Sequence, residues 1–260
     1  MSIATHSGGV VFALDLILAH PELLTPEGEG GYLAIGTPWV LPSHSSSGLL
    51  AVVDMLPRGM VAWADRLAQV VGGTVAPAVG MAVGVSAGVL GKVAHLDHGD
   101  GGDEGGDEDY KFERRVWRKL MEKVFKEGVQ GVSDDSVLLM QKAEGAKGWG
   151  DWGDYDQLVP RLMEKLRATG RRLSVDVFYA EKDRMIGDGG SKGPVWFDSC
   201  WEGEYGDVLE YRSRTVKGAD HDGIWSLKFD AAREVYDKIA GKIVEATPPA
   251  SSNSAVKGTI

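Results

Sequence analysis

The feature that most limits the possible folds is a serine near residue 1, set between an apolar run and a helical pattern. Ser7 lies in the middle of the small-residue segment THSGG at 5–9, and apolar residues then recur at 10–18 with the spacing of one helix face. A tight strand-to-helix turn flanked by small residues holds a serine Oγ away from its backbone. The segment therefore predicts a nucleophilic serine between a strand and a helix.

Strand and helix patterns alternate on both sides of a long helical interval. The patterns predict strands at 1–5, 32–36, 173–179 and 209–216, and helices at 9–19, 155–168 and 224–245. Further helices are expected at 49–70, 74–93, 110–127 and from Ser133, an N-cap candidate, to about residue 144. Alternating strands and helices are typical of an α/β fold with a parallel sheet. The helical interval then predicts a cap inserted after a strand.

This pattern divides the chain into core, cap and tail. We expect the first part of the core sheet at 1–44, a helical cap or lid at 45–153, the second part of the core at 154–246 and a disordered tail at 247–260. The fold class predicted is α/β, with a partial parallel sheet and a large helical cap insertion.

Charge and cysteine usage exclude several classes of protein. The net charge is -10, which argues against nucleic acid and anionic membrane surfaces as partners. The single cysteine, Cys200, allows no internal disulfide and fits a cytoplasmic location. Cys200 lies in no elbow or helix-start pattern, so we expect a semi-buried apolar role for it rather than a nucleophilic one. No cofactor and no metal ion are expected.

Two segments of the predicted cap leave alternatives open. Residues 67–91 carry no charge and are long enough to span a bilayer, but they are rich in glycine and favour a buried helical hairpin. Residues 97–109 hold seven acids and five glycines. Carboxylates suit calcium, yet this run lacks the ordered spacing of a calcium-binding loop and favours a solvated linker.

A serine nucleophile needs a base to take its proton and an acid to orient that base. Asp183 follows the strand at 173–179, and His221 follows the strand at 209–216, so both come where parallel strands end at one edge of a sheet. Together with Ser7 they are the predicted catalytic triad. The alternatives are Asp176 and Asp188 for the acid and, for the base, His44 foremost, then His6, His20, His95 and His98.

Two tryptophans in the segment GWGDWGDYD follow the predicted cap helices. Trp149 and Trp152 could line a pocket for an apolar acyl substrate, or they could fasten the cap to the sheet. The expected partner is a small hydrophobic acyl substrate.

The three predicted catalytic segments resemble those of the α/β-hydrolase superfamily. Ser7 in SIATHSGGVVFALDLILAHPEL, Asp183 in VFYAEKDRMIG and His221 in VKGADHDGI look like its nucleophile, acid and histidine segments. The segments LAIGTPWVLPSHS and GWGDWGDYDQLVPRL are similar to a group of largely uncharacterised fungal hydrolases with a helical cap. The resemblance implies hydrolysis of an ester or related acyl bond through an acyl-serine intermediate.

The same resemblance implies that part of the fold is absent. A complete sheet of this superfamily has eight strands, and this chain would supply the equivalents of strands 5 to 8. The N–H of Gly8 would be one donor of the oxyanion hole, while the loop that gives the other donor would be missing. We therefore expect a serine hydrolase impaired by N-terminal truncation, or a non-catalytic remnant or truncated gene model of one. An oligomer or partner could cover the exposed edge strand. A membrane-anchored protein using residues 67–91 is the remaining alternative.

Overall fold

One parallel sheet of four strands is the central element of the structure. The computed structural model describes residues 1–24, 30–55, 57, 108–127, 130–143, 149, 153–187 and 189–241. In this part of the chain the strands lie side by side in sequence order: β1 (Ser2–His6), β2 (Gly31–Gly36), β3 (Leu173–Ala180) and β4 (Leu209–Val216). All three strand pairs are parallel. The predicted strands are confirmed, with bounds that shift by at most a residue.

The burial of the strands explains why the sequence forms a parallel sheet. Every residue of β2 and β3 is buried, as expected for central strands covered on both faces. Leu33 and Ile35 of β2 belong to the hydrophobic cluster on one face, and Tyr32 and Ala34 belong to the cluster on the other. The alternation follows from the two-residue period of a strand. Because both faces of these central strands are buried, apolar residues are needed at consecutive positions of β2 and β3 rather than at every second one.

Helices cover both faces of this sheet. The described α-helices are α1 (Gly9–Ala19), α2 (Gly48–Asp54), α3 (Glu108–Glu127), α4 (Gln130–Leu139), α5 (Tyr155–Thr169), α6 (Pro194–Ser199) and α7 (Asp230–Ile239). The apolar faces of α1 and α5 pack in the cluster that contains Leu33, and α7 packs in the cluster that contains Ala34. The sheet is thus the middle of three layers, which confirms the α/β fold class.

The structure corrects two helix bounds and adds one helix. Helix α4 begins at Gln130, so Ser133 lies inside the helix and is not its N-cap. The last helix begins at Asp230 rather than 224, because hydrogen-bonded turns such as Ser226 N–H to Gly223 O occupy the preceding residues. Helix α6 was not predicted, since its six residues are too short to show a helical period.

Much of the predicted cap lies outside the described residues. These include residues 67–91, most of the acidic run at 97–109, and the helices predicted at 74–93 and beyond residue 54 of the 49–70 segment. The described residues between 45 and 153 include α2, α3 and α4. Among the helices that the structure does describe, none is both long and apolar enough to cross a membrane. The predicted tail at 247–260 also lies outside the described part, and the domain division stays a prediction.

Candidate active site

Ser7 occupies the turn between β1 and α1 in a backbone conformation that non-glycine residues rarely adopt. Its φ is +51°, in the left-handed region. The Ser7 N–H donates to Gly36 O at 3.0 Å, and the Ser7 carbonyl accepts from Val10 N–H at 3.2 Å and Trp39 N–H at 3.3 Å. These bonds tie the turn to β2 and to the start of α1. A serine held in a strained strand-to-helix turn is the local geometry of a nucleophile elbow.

The structure brings Ser7, His221 and Asp183 together in one hydrogen-bonded line. The His221 Nε2 atom lies 3.0 Å from Ser7 Oγ, and its Nδ1 atom lies 2.8 Å from Asp183 Oδ2. Because a carboxylate only accepts, Nδ1 carries a hydrogen, and Nε2 is then free to accept the hydroxyl hydrogen of Ser7. The side chains of His221 and Asp183 are 7% and 4% exposed, so this pair is shielded from water.

Backbone groups fix the orientation of the Asp183 carboxylate. Its Oδ1 accepts from the N–H groups of Met185 at 2.8 Å and Ile186 at 3.1 Å, which leaves Oδ2 directed at His221. The turn after β3 thus binds its own acid through main-chain donors. Substitutions at 185 and 186 would retain these bonds wherever the backbone is retained.

A run of serines from a distant segment holds this acid turn in place. Ser45 Oγ donates to Ile186 O at 2.9 Å, and Ser47 Oγ donates to Arg184 O at 2.6 Å. Both serines are buried, and each satisfies a carbonyl on the turn that follows Asp183. Sequence analysis missed this role. The clustered hydroxyls in PSHSSS at 42–47 are the one signal that could have indicated it.

The alternative acids and bases that the structure describes have other partners. His44 Nε2 lies 3.3 Å from Asp154 Oδ2, and the His44 ring stacks on Trp196 with centroids 3.7 Å apart. Asp176 accepts from Lys238 Nζ at 3.0 Å and from a buried tyrosine on β2. The remaining alternatives are His20, which pairs with Glu22, His6, which bonds the backbone of His221, and Asp188, His95 and His98, which lie outside the described residues.

Burial keeps Cys200 as a neutral thiol. It raises the pKa of Cys200 to about 12, with the nearby charges of Asp154 and Asp156 acting in the same direction. The Sγ donates to Trp196 O at 3.3 Å, one turn back along α6. A thiol in this state is a poor nucleophile. The expectation of a semi-buried structural role agrees with these contacts.

Trp39 connects the serine turn to the cap helix α4. The backbone N–H of Trp39 donates to Ser7 O at 3.3 Å, and its indole Nε1 donates to Leu139 O at 3.0 Å. The carbonyl of Trp39 accepts from Tyr155 Oη at 2.8 Å. Trp39 alone, in the loop that follows β2, therefore bonds the serine turn, the end of α4 and the start of α5.

This connection brings Leu139 against the residue that follows the serine. A Cβ atom added to Gly8 would lie 2.5 Å from Leu139 Cδ1, so a larger residue at position 8 would push the Leu139 side chain away. The Gly8 N–H precedes the first turn of α1, where backbone donors have no partner within the helix. It is the predicted oxyanion donor, and Leu139 forms an apolar wall beside it.

The contacts of Trp149 are those of an anchor. Its side chain is buried, its indole N–H donates to Leu138 O at 3.0 Å, and its ring packs on Tyr155 with centroids 5.3 Å apart. These contacts favour the alternative in which Trp149 fastens the cap over that in which it lines a pocket. Trp152 lies outside the described residues.

Comparisons with known proteins give distant structural similarities only. No family model and no curated protein matches the chain. Among solved structures, it is similar to BpoC of Mycobacterium tuberculosis, assigned to the non-heme bromoperoxidases (12% identity, TM-score 0.42, covering 94% of this chain and 68% of the other). It is also similar to a carboxylesterase of the thaumarchaeon Nitrososphaera gargenis (14%, 0.39, 92% and 63%) and to an α/β hydrolase from a Medee basin deep-sea metagenome library (10%, 0.43, 95% and 66%).

The chain spans about two thirds of the length of each of these three proteins. Since the TM-scores lie below 0.5, the fold class rests on the chain itself. Its parallel strands lie in sequence order, a serine follows β1 in a strained turn, and an acid and a histidine follow β3 and β4. A serine in a strand-to-helix turn, followed along the chain by an acid and then a histidine, is the order in which α/β hydrolases carry their catalytic residues.

Proposed function

We propose that this chain is a serine hydrolase that cleaves an ester or related acyl bond. The observation that carries the proposal is the line from Ser7 Oγ to His221 Nε2 at 3.0 Å and from His221 Nδ1 to Asp183 Oδ2 at 2.8 Å. A serine, a base within hydrogen-bond reach and an acid that orients the base are what nucleophilic acyl transfer requires. The positive φ of Ser7 supports the same role.

The proposed reaction uses each group for a separate step. Ser7 Oγ attacks the acyl carbon while its proton passes to His221 Nε2, and the carbonyl π electrons move onto oxygen. The N–H of Gly8 stabilises that oxyanion. The intermediate then expels the alcohol, which takes the proton from Nε2 and leaves an acyl-serine. A water molecule, deprotonated by His221, releases the acid by the same steps in reverse order.

The apolar wall at Leu139 supports a hydrophobic acyl or alcohol group as the part of the substrate nearest Gly8. Leu139 approaches Gly8 so closely that the site offers apolar rather than polar contacts on this side. The substrate class proposed is therefore a small uncharged ester. The charge of -10 favours no anionic substrate.

Labelling with a fluorophosphonate probe tests the proposal. The probe reacts covalently with an activated serine, so the folded wild-type chain should be labelled and Ser7→Ala should not be. Ser2→Ala, an exposed serine on the same strand, is the matched control and should be labelled like the wild type. A folded wild-type chain that takes no label, or a Ser7→Ala variant labelled as fast as the wild type, would overturn the proposal.

A further inference from the structure

The backbone carbonyl of His221 accepts hydrogen bonds from two side chains, one at the end of β1 and one directly after β2. His6 Nε2 lies 2.7 Å from His221 O, and Thr37 Oγ1 donates to the same oxygen at 3.2 Å. A carbonyl oxygen only accepts, so the Nε2 atom of His6 carries a hydrogen and donates it. Two donors therefore fix one main-chain atom of the residue that serves as the base.

Both donors come from rigid positions next to the nucleophile. His6 is the last residue of β1 and immediately precedes Ser7, while Thr37 immediately follows β2. Thr37 is fully buried, its φ is +45°, and its N–H donates to Phe178 O at 2.8 Å on β3. The sheet that positions the serine thereby also positions the histidine loop. The distance between Ser7 Oγ and His221 Nε2 depends on this shared support.

The His6 ring lies beside the His221 ring without competing for its proton. The ring centroids are 5.2 Å apart with a 58° angle between the planes. Burial foremost, and then the neighbouring His221, lower the pKa of His6, whereas its bond to the His221 carbonyl and the charge of Asp183 act in the opposite direction. The lowered pKa favours neutral His6, which donates from Nε2 and places no second cation next to a protonated His221.

We propose that His6, together with Thr37, is a positioning residue that holds the His221 backbone so that its imidazole stays within reach of Ser7 Oγ. This assignment rests on the proposed hydrolase function. His6 contacts none of the reacting atoms of the proposed reaction. Its Nε2–H group acts by donating to the carbonyl of His221. The role therefore requires a side chain at position 6 that carries one hydrogen-bond donor as far from the backbone as an imidazole Nε2.

The test compares two replacements of His6 in the full chain. Glutamine can present an N–H at a similar reach, whereas leucine fills the space without a donor. His6→Leu should lower kcat for a p-nitrophenyl ester by about tenfold or more, because small displacements of catalytic groups cost up to about a hundredfold. KM should change by less than about twofold, and His6→Gln should restore kcat to within about threefold of the wild type. His20→Leu, an exposed histidine, should leave kcat unchanged.

A second pair of variants covers the case in which His6→Leu does not fold. Thr37→Val removes the other donor and Thr37→Ser retains it, so kcat should fall in the valine variant and recover in the serine variant. The positioning role is wrong if folded His6→Leu matches the wild type, if His6→Gln loses as much as His6→Leu, or if Thr37→Val and Thr37→Ser are equally active. A wild-type chain without hydrolysis or labelling refutes the proposed function itself, and with it this assignment.

Discussion

Replacing Asp183 by asparagine should disable the base while leaving its position almost unchanged. In the wild type, Oδ1 accepts from the N–H groups of Met185 and Ile186, and Oδ2 accepts from His221 Nδ1. An asparagine side chain has one acceptor and one donor end. The two backbone donors need the acceptor end, so the amide NH2 must face Nδ1 of His221.

That orientation forces the wrong tautomer on His221. Its Nδ1 must then accept a hydrogen bond, the ring hydrogen moves to Nε2, and Nε2 can no longer take the proton of Ser7 Oγ 3.0 Å away. In serine hydrolysis a substitution of this kind lowers the rate about 10⁴-fold, which corresponds to about 5 kcal/mol of transition-state stabilisation. We expect a loss of the same order here, with little change in KM.

The rate of p-nitrophenyl ester hydrolysis and the rate of fluorophosphonate labelling measure this loss. Asp176→Asn is the control, because Asp176 is also a buried acid but bonds Lys238 instead of His221. It should retain activity to within about threefold even if its stability falls. The tautomer argument fails if folded Asp183→Asn keeps more than about a tenth of the wild-type rate, or if Asp176→Asn loses as much activity.

Two further predictions concern the His44–Asp154 pair and the Leu139 side chain beside Gly8. Burial raises the pKa of Asp154 from 3.8 to about 7, so its stabilising contribution is complete below about pH 4 and lost as the pH rises through about 7. Asp154→Asn keeps the N-cap and can donate to His44, so in urea unfolding at pH 8 it should exceed the wild type in stability by up to about 4 kcal/mol, with no advantage at pH 4. The exposed Asp156→Asn should give only a small part of this gain, because the charge of Asp156 contributes less than burial to the raised pKa of Asp154, and an equal gain there would contradict the burial argument. Leu139→Ala should raise the preference for longer over shorter acyl chains by about tenfold in kcat/KM, whereas Leu138→Ala should not; equal profiles would remove Leu139 from the substrate site.

The core of the fold was predictable because its signals are local and periodic. Helix α1 and strand β4 begin and end where the sequence patterns predicted. Strand β3 is mainly apolar but contains one acid, Asp176, which a parallel central strand tolerates because Lys238 and Tyr32 bond it. The order of the strands along the chain then brought Ser7 and His221 to the same edge of the sheet.

The contacts that support the site could not be predicted, because they join distant segments without a periodic pattern. The bond from Ser45 to Ile186 spans 141 residues, and a serine-rich segment is typical of a solvated loop. From the sequence alone, His6 is an alternative base because it directly precedes Ser7. Its bond to the His221 carbonyl forms only where the loop that follows β4 reaches the end of β1, although the two strands lie at opposite sides of the sheet.

Trp39 also couples three parts of the structure that are distant along the chain. It bonds the backbone of Ser7, the carbonyl of Leu139 and the hydroxyl of Tyr155. The bonds of one residue thus define the spacing between the serine turn, the end of α4 and the start of α5. A change at residue 39 is therefore expected to disturb the support of Ser7 and the wall beside Gly8 together, whereas a change of the Leu139 side chain alone leaves the bonds of the serine turn in place.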